Sequence, residues 1–385
     1  HLLEVAGGAV AVVALAVGLL AYKLAAGPVS LGFLAPSFSA LLREQLGPDY
    51  HVAMADTVLR WSRTDHALSL ELKDVRLSDK NGRAVANIPQ LQVGLSLDGL
   101  QQGLIAPTRL SVEHASILVE RQTSGMFSIG SGSHAATAAD SQSTVLPLLL
   151  NQLLGHAKGH GVASYLTEIS AHNTDLTLVD RRTGITVHAP DAQLSLRRTD
   201  QGIQIDLHAS AHVGDQVAKL SVHGAFDRRV QSGLVDLAFT PLLFSHFAPL
   251  SKFYAAFAPL DMPVSGSAHL ALGKSALISR ADLMLTATGG RLAPKGAVPV
   301  AVQSANFVGT YWPQTGDIAV DSLKFAAGAD HGEFSGHARL RTALGTPLRI
   351  MGAEFQLSAK NFGFIWQGRF DEPLHFDALA LKGDA

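Results

Sequence analysis

Along most of this chain, apolar and polar residues alternate with a period of two. Leu68, Leu70 and Leu72 alternate with polar partners, and so do Leu91, Val93, Leu95 and Leu97. Leu110/Val112 and Ile117/Val119 repeat the pattern. Successive side chains of a strand point to opposite faces, so each run predicts a strand with one apolar side. The phase slips between Leu72 and Val75 and between Val112 and Ile117, which predicts bulges or new strands there. Turns are expected at Asp79-Lys80-Asn81-Gly82, Thr123-Ser124-Gly125, Arg181-Arg182-Thr183-Gly184, Thr288-Gly289-Gly290, Pro313-Gln314-Thr315-Gly316 and Asp330-His331-Gly332. Strands follow strands with few helices between them, which is an antiparallel meander rather than a βαβ pattern.

Two stretches about a hundred residues apart read almost alike. Asp74-Val75-Arg76-Leu77-Ser78-Asp79 leads through a Gly turn to Pro89 and then Leu95-Ser96-Leu97. Asp175-Leu176-Thr177-Leu178-Val179-Asp180 leads through another to Pro190 and then Leu194-Ser195-Leu196. A hairpin cannot bury its apolar face alone, so repetition predicts a long sheet assembled hairpin by hairpin. On this pattern the sheet holds roughly 20 strands of about 7–9 residues.

Four segments break the alternation. Residues 5–22 are uncharged, between Glu4 and Lys23, and as a helix would span ~27 Å, near the hydrocarbon thickness of a bilayer. A single N-terminal anchor is the expectation, and a cleaved signal peptide the alternative. Pro36-Ser37-Phe38 opens a short amphipathic helix through Leu41, Leu42 and Leu46, stopped by Gly47-Pro48. A Ser/Ala/Gly-rich loop from Gly130 to Thr144 precedes an apolar helix ending at Leu154. The aromatic segment from Leu242 to Phe257 is cut into short helices by Pro241, Pro249 and Pro259. The organisation expected is therefore an anchor (1–27), a juxtamembrane helix (28–48), a first β segment (49–128), a loop and apolar helix (129–160) and a second β segment (161–385). The last carries a helical insertion near 241–258, expected to pack on or inside the sheet.

Charged residues make up 16% of the chain and the net charge is -2, which leaves no basic patch for nucleic acid. With no cysteine there is no disulfide framework and no thiol nucleophile. Gly273-Lys274-Ser275 looks like the end of a phosphate-binding loop, but the required first Gly is Ala268 and the flanks read as strand. His156/His160 and His208/His212 have i,i+4 spacing without an acidic ligand in register, and the second pair sits in a strand. No catalytic residue, metal site or cofactor is predicted, and the chain is not expected to be an enzyme.

Two arrangements would satisfy the apolar faces. One is a set of β-sandwiches in which sheets cover each other. The other is one curved sheet with an open apolar groove, stable only if something apolar occupies it. At this point the sequence resembles a known family. Leu46-Gly47-Pro48-Asp49-Tyr50, Val58-Leu59-Arg60-Trp61, Asp74-Val75-Arg76-Leu77, Ile88-Pro89, Ile105-Ala106-Pro107, Ile117-Leu118-Val119, Gly125-Met126-Phe127, residues 171–180 and Leu260-Asp261-Met262-Pro263-Val264-Ser265-Gly266 are similar to YhdP-type proteins, AsmA-like proteins of Gram-negative envelopes. The resemblance implies an inner-membrane anchor, a periplasmic bulk and a long β-groove that conducts phospholipid toward the outer membrane. It also implies that this chain is an N-terminal part of a longer protein. Partners would then be phospholipid acyl chains, the inner membrane, and outer-membrane or other envelope proteins. A non-catalytic envelope scaffold that binds proteins through β-sandwiches is the alternative.

The fold class expected is thus mostly β: a long curved antiparallel sheet with an open groove, an N-terminal transmembrane helix and a few short amphipathic helices. Leu91, Val93, Leu95, Leu97, Leu176, Leu178, Leu194 and Leu196 are the expected groove lining. Gln92, Ser96, Thr177 and Ser195 would face the other way.

Overall fold

A computed structural model describes residues 22–24, 27–32, 50–62, 67–79, 84–102, 104, 106–123, 127–130, 165–250, 254–273, 278–293, 299–328, 330–343, 349–364 and 374–384. The protein is mostly β. It divides into two compact units, His1–Ser116 with Gly130–Thr174, and Ile117–Ile129 with Asp175–Ala385.

In the first unit the strands are β1 (Val29–Ser30), β2 (Tyr50–Ala53), β3 (Asp56–Ser62), β4 (Ala67–Asp79), β5 (Ala84–Leu95) and β6 (Pro107–Glu113). β1 pairs with β3, β3 and β2 with β4, β4 with β5 and β5 with β6, all antiparallel. β6 then pairs in parallel with the first residues of β9 (Glu168–Asp180), Arg109 opposite Glu168 and Val112 opposite Ala171. The sheet is therefore mixed, which corrects the purely antiparallel expectation. Leu59, Leu70, Leu72, Val75 and Leu95 form the core, with Leu24, Leu31 and Leu100 packed against it.

In the second unit β7 (Ser116–Arg121) and β8 (Phe127–Gly130) are followed, after the remainder of β9, by β10 (Ile185–Arg198), β11 (Gly202–Val213), β12 (Gln216–Asp227) and β13 (Ser232–Leu243). Next come β14 (Leu260–Asp261), β15 (Pro263–Leu272), β16 (Ile278–Leu292), β17 (Val300–Trp312), β18 (Asp317–Ala327), β19 (Asp330–Ala343), β20 (Arg349–Phe364) and β21 (Leu374–Asp384). From β10 to β21 each long strand hydrogen-bonds to the next, always antiparallel, with β14 on β16. These strands reach 16 residues, well beyond the length expected, because bulges let the alternation run on without a turn.

The two similar sequence stretches are two hairpins, β4–β5 and β9–β10. In the second, Asp180 Oδ1 accepts from the Arg182 and Thr183 amides at 2.9 and 3.3 Å and shapes the turn. The predicted phase slips fall on left-handed residues. Asp74 has φ 50° and lies opposite Pro89, where the β4–β5 ladder skips, and His114 has φ 56° between β6 and β7. Proline has no amide to donate, so Pro89 sits where a ladder pair is skipped and Pro190 where the register shifts.

Several expectations are corrected. Leu97 is not on a strand: Leu97–Gln101 is a short helix, α1, capped by Ser96, whose Oγ accepts from the Gly99 amide at 3.0 Å. Thr288-Gly289-Gly290 is not a turn but the interior of β16. Gly290 there, at φ 155°, runs so close to Met262 that a Cβ would lie 2.4 Å from that residue's Cβ. The turn expected at Asp330-His331-Gly332 sits earlier, at Gly328, and β19 already begins at Asp330. Within the stretch expected to be the juxtamembrane helix, Val29–Ser30 is a strand.

No helix among the described residues is long and apolar enough to cross a membrane. Residues 1–21 of the expected anchor, residues 33–49 of the juxtamembrane helix, the loop and helix at 131–164, His156/His160 and Lys274-Ser275 lie outside the described residues. Leu272 pairs antiparallel with Ile278, so the described residues flanking Lys274-Ser275 on both sides are strands.

Placing a β-branched residue in the left-handed region costs more than about 1–2 kcal/mol. Asp74→Val should therefore lower unfolding stability by about that much, while Lys73→Val, exposed on the same strand, should change it by under about 0.5 kcal/mol. Urea denaturation of both variants measures the difference.

Candidate functional site

The register of the second unit sorts its side chains into two faces of opposite character. One cross-strand row runs Leu194, Leu207, Val222, Leu237, Ala268, Leu283, Gly309, Val320 and Gly336, from β10 through β19 without a charge. The rows on either side of it, which begin with Leu196–Ile205 and with Ala209–Leu220, are uncharged as well and include Phe239, Phe307, Tyr311 and Phe334. Leu207, Val222, Leu237 and Leu283 are only partly buried. A sandwich core would bury these residues, but here every strand from β9 onward is a neighbour in one ladder, and no second sheet is built among the described residues. Along β11 the face is ~33 Å long, from Ile203 to Val213 at 3.3 Å per residue.

The opposite face is polar, and its rows are built of complementary groups. Ser195, Asp206, His223, Asp236, His269, Asp282 and Thr310 lie side by side across β10 to β17. His223 Nδ1 is 2.7 Å from Asp206 Oδ1, His269 Nδ1 hydrogen-bonds Asp236, and Thr310 Oγ1 donates to Asp282 at 2.7 Å. That hydroxyl, with Arg280 beside it, holds the Asp282 carboxyl below its ordinary value of 3.8. His208 packs edge-on to His223, and His212 lies against His188, which is 2.7 Å from Asp175. The His208/His212 pair is thus spread over two neighbours, and no group of three metal-ligating side chains occurs among the described residues. A depression of about 380 Å³ also opens on this side, lined by Asp191, His208, Ser210, Lys219, Ser221 and Thr240 among others. Ala209, Leu220, Ala238 and Phe239 share its wall with them, so its lining is mixed.

One end of the apolar face is closed by the aromatic insertion. β13 passes into a 3-10 helix, Phe244–Phe247, and a second, Tyr254–Phe257, precedes β14. Phe247 is buried with Ile185 and Val213, and Phe244 meets Phe239, Phe247 and Phe257 with centroids 5.6–6.3 Å apart. Burial raises the Tyr254 phenol above its ordinary value, with the Asp180 carboxylate acting in the same sense. The second 3-10 helix also touches β20, ten numbers along the ladder from β10, so the sheet of this unit curves. Tyr311 on β17 likewise has its phenol raised by burial and feels the opposing charge of Arg182 on the β9–β10 turn.

Polar clasps hold the insertion. The Gln216 side chain makes two hydrogen bonds with the Leu243 backbone, donating to its carbonyl at 2.9 Å and accepting from its amide at 2.6 Å. Asp215 lies 3.1 Å from His246 Nδ1, and that contact lowers its carboxyl.

Of the expected lining residues, Leu194 and Leu196 lie on the charge-free face, opposite Leu207 and Ile205. Leu176 and Leu178 share it: Asp175 faces His188 on the polar side, and alternation turns the next residue inward. Thr177 and Ser195 are on the polar side. Leu91, Val93 and Leu95 belong to the first unit, where Leu95 is a core residue with Leu59, Leu70 and Leu72, and Leu91 and Val93 pack against that core. Leu97 lies at the start of α1 rather than on a strand and is 40% exposed. The residues missed by sequence reasoning are the inward positions of β11 to β19, and their signal was the same alternation. Comparison with protein-family models, with curated proteins and with solved structures gives no match.

Two outcomes test this geometry. Gln216→Leu leaves the Leu243 amide and carbonyl without their side-chain partners at a partly buried position, and should cost about 1–3 kcal/mol in chemical denaturation. Thr310→Val should cost about 1 kcal/mol at neutral pH. Because the folded Asp282 carboxyl is lowered, its contribution is complete above 3.8 and fades as pH falls through the folded value. The gap between Thr310→Val and the parent should therefore narrow as the pH falls below 3.8.

Proposed function

We propose that this chain is a membrane-anchored periplasmic lipid-transport protein, with the charge-free face of its second unit as an open groove that conducts phospholipid between inner and outer membrane. The observation that carries this reading is the absence of charge along successive cross-strand rows, on a face whose leucines stay only partly buried. Apolar surface left open on this scale is unfavourable in water at ~25 cal/mol per Å². Acyl chains match it in chemistry and length, and they bind without needing any fixed polar partner. The resemblance to AsmA-like envelope proteins points the same way on sequence pattern alone. The anchor is proposed from the apolar run at residues 5–22. The reading assigns no catalysis.

The competing role, an envelope scaffold of β-sandwiches that binds proteins, lacks the second sheet it requires among the described residues of the second unit. That is why lipid is preferred here.

Native mass spectrometry of the full chain, released from detergent, should find co-purifying phospholipid. A photo-crosslinker at Leu237 or Leu178 should capture it, and one at Ala238 or Thr177, on the polar face, should not. Leu237→Arg should lose the lipid, since a charge moved among apolar chains without a partner costs several kcal/mol, while Ala238→Arg should keep it. Circular dichroism must show both variants folded. Equal capture on the two faces, or none on either in folded protein, would overturn the assignment.

A further inference from the structure

The charge-free rows run between two ends of different character. At one end lie the Phe247 cluster and the Gln216 clasp. At the other, β10 runs inward-facing through Leu194 and Leu196 to Arg198, opposite Ile203 of the same face. Arg198 is partly buried there, next in its row to Ile203 and Phe226. Arg228, on the β12–β13 turn, folds over the β10–β11 turn that follows Arg198. Its amide donates to the Gln201 carbonyl at 3.1 Å, and its Nη2 lies 3.5 Å from the Asp200 carbonyl oxygen. Two guanidinium groups are thus brought to the rim of an apolar surface. Burial and then the charge of Arg228 push the Arg198 guanidinium below its ordinary value, the sense expected of a cation crowded by another.

We propose that Arg198 and Arg228 form a phosphate-binding rim that takes the anionic head group of a lipid whose acyl chain lies on the charge-free face, tail toward the Phe247 cluster. The proposal rests on the lipid reading and adds to it an orientation and a head-group class. Guanidinium planes suit phosphate because they offer paired donors in a fixed fork. A neutral lipid with the same chain would gain only the apolar contacts.

The test uses the full chain and three probes: oleoyl lysophosphatidic acid, monoolein with the same chain and no phosphate, and inorganic phosphate. The parent protein should bind the phosphate-bearing lipid at least tenfold more tightly than monoolein, equivalent to about 1.4 kcal/mol. The double variant Arg198→Gln/Arg228→Gln should lose that preference and keep its monoolein affinity. Arg229→Gln, an exposed residue of the same turn, should retain the preference. Unchanged monoolein binding certifies that the double variant is folded.

Equal affinity for the two lipids in the parent, or an unaltered preference in the double variant, overturns the rim while leaving the lipid reading intact. Binding of neither lipid overturns both. Displacement of lysophosphatidic acid by inorganic phosphate at a comparable concentration overturns the head-group assignment in favour of a free-anion site.

Discussion

A sheet that keeps one face free of charge must hold its register over its whole width, and this constraint organises the second unit. Side chains alternate with a period of two, so a slip of one residue between neighbouring strands would exchange the faces. Asp206, His223, Asp236 and His269 would then turn toward Leu207, Val222, Leu237 and Ala268. The cross-strand pairs on the polar side meet only in the native register. Each pair is weak alone, being exposed to water. Together they oppose the slip by stacking the penalty of a buried carboxylate or imidazole at every strand. The polar face thus serves as the alignment guide for the apolar one.

Length follows from the same logic. Ordinary strands stop where a turn returns the chain, but here β16 to β20 carry on through irregularities that a shorter strand would not contain. The bulge at Asp321, between Val320 and Leu323, restores the inward position of the apolar residues after a break in alternation. Closing one end of so long a face took a local device instead of another strand. The aromatic insertion between β13 and β14 supplies rings rather than a further strand, so it adds no exposed sheet edge.

The sequence made some of this legible and hid the rest for identifiable reasons. Hairpin content, the two similar stretches and the inward set Leu176, Leu178, Leu194 and Leu196 could be read because alternation is a local signal. Leu97 was misplaced because it continues the alternation of Leu91, Val93 and Leu95, whereas Ser96 caps a helix whose only local sign is a serine three residues before Gly99. Gly289-Gly290 looks like a turn by composition and is instead the place where β16 must let Met262 come close. The parallel partnership of β6 with β9 left no trace, since strands joined across more than fifty residues share no local pattern. The row of histidines and aspartates is invisible to spacing along the chain, because its members become neighbours only through the register.

The parallel pair carries a consequence for how the protein comes into being. Beyond β9, every long strand finds its partner immediately behind it, so each new hairpin can zip onto the growing sheet within a short contour length. Such local topology is quick to form and can keep pace with a chain that emerges from one end. β6 has no such convenience. Its outer hydrogen bonds wait for residues 168–172, and the entropic cost of bringing two segments together rises with the length of chain between them. Until they arrive, β6 is a bare edge carrying Leu110 and Val112, the part of the nascent protein most open to mispairing.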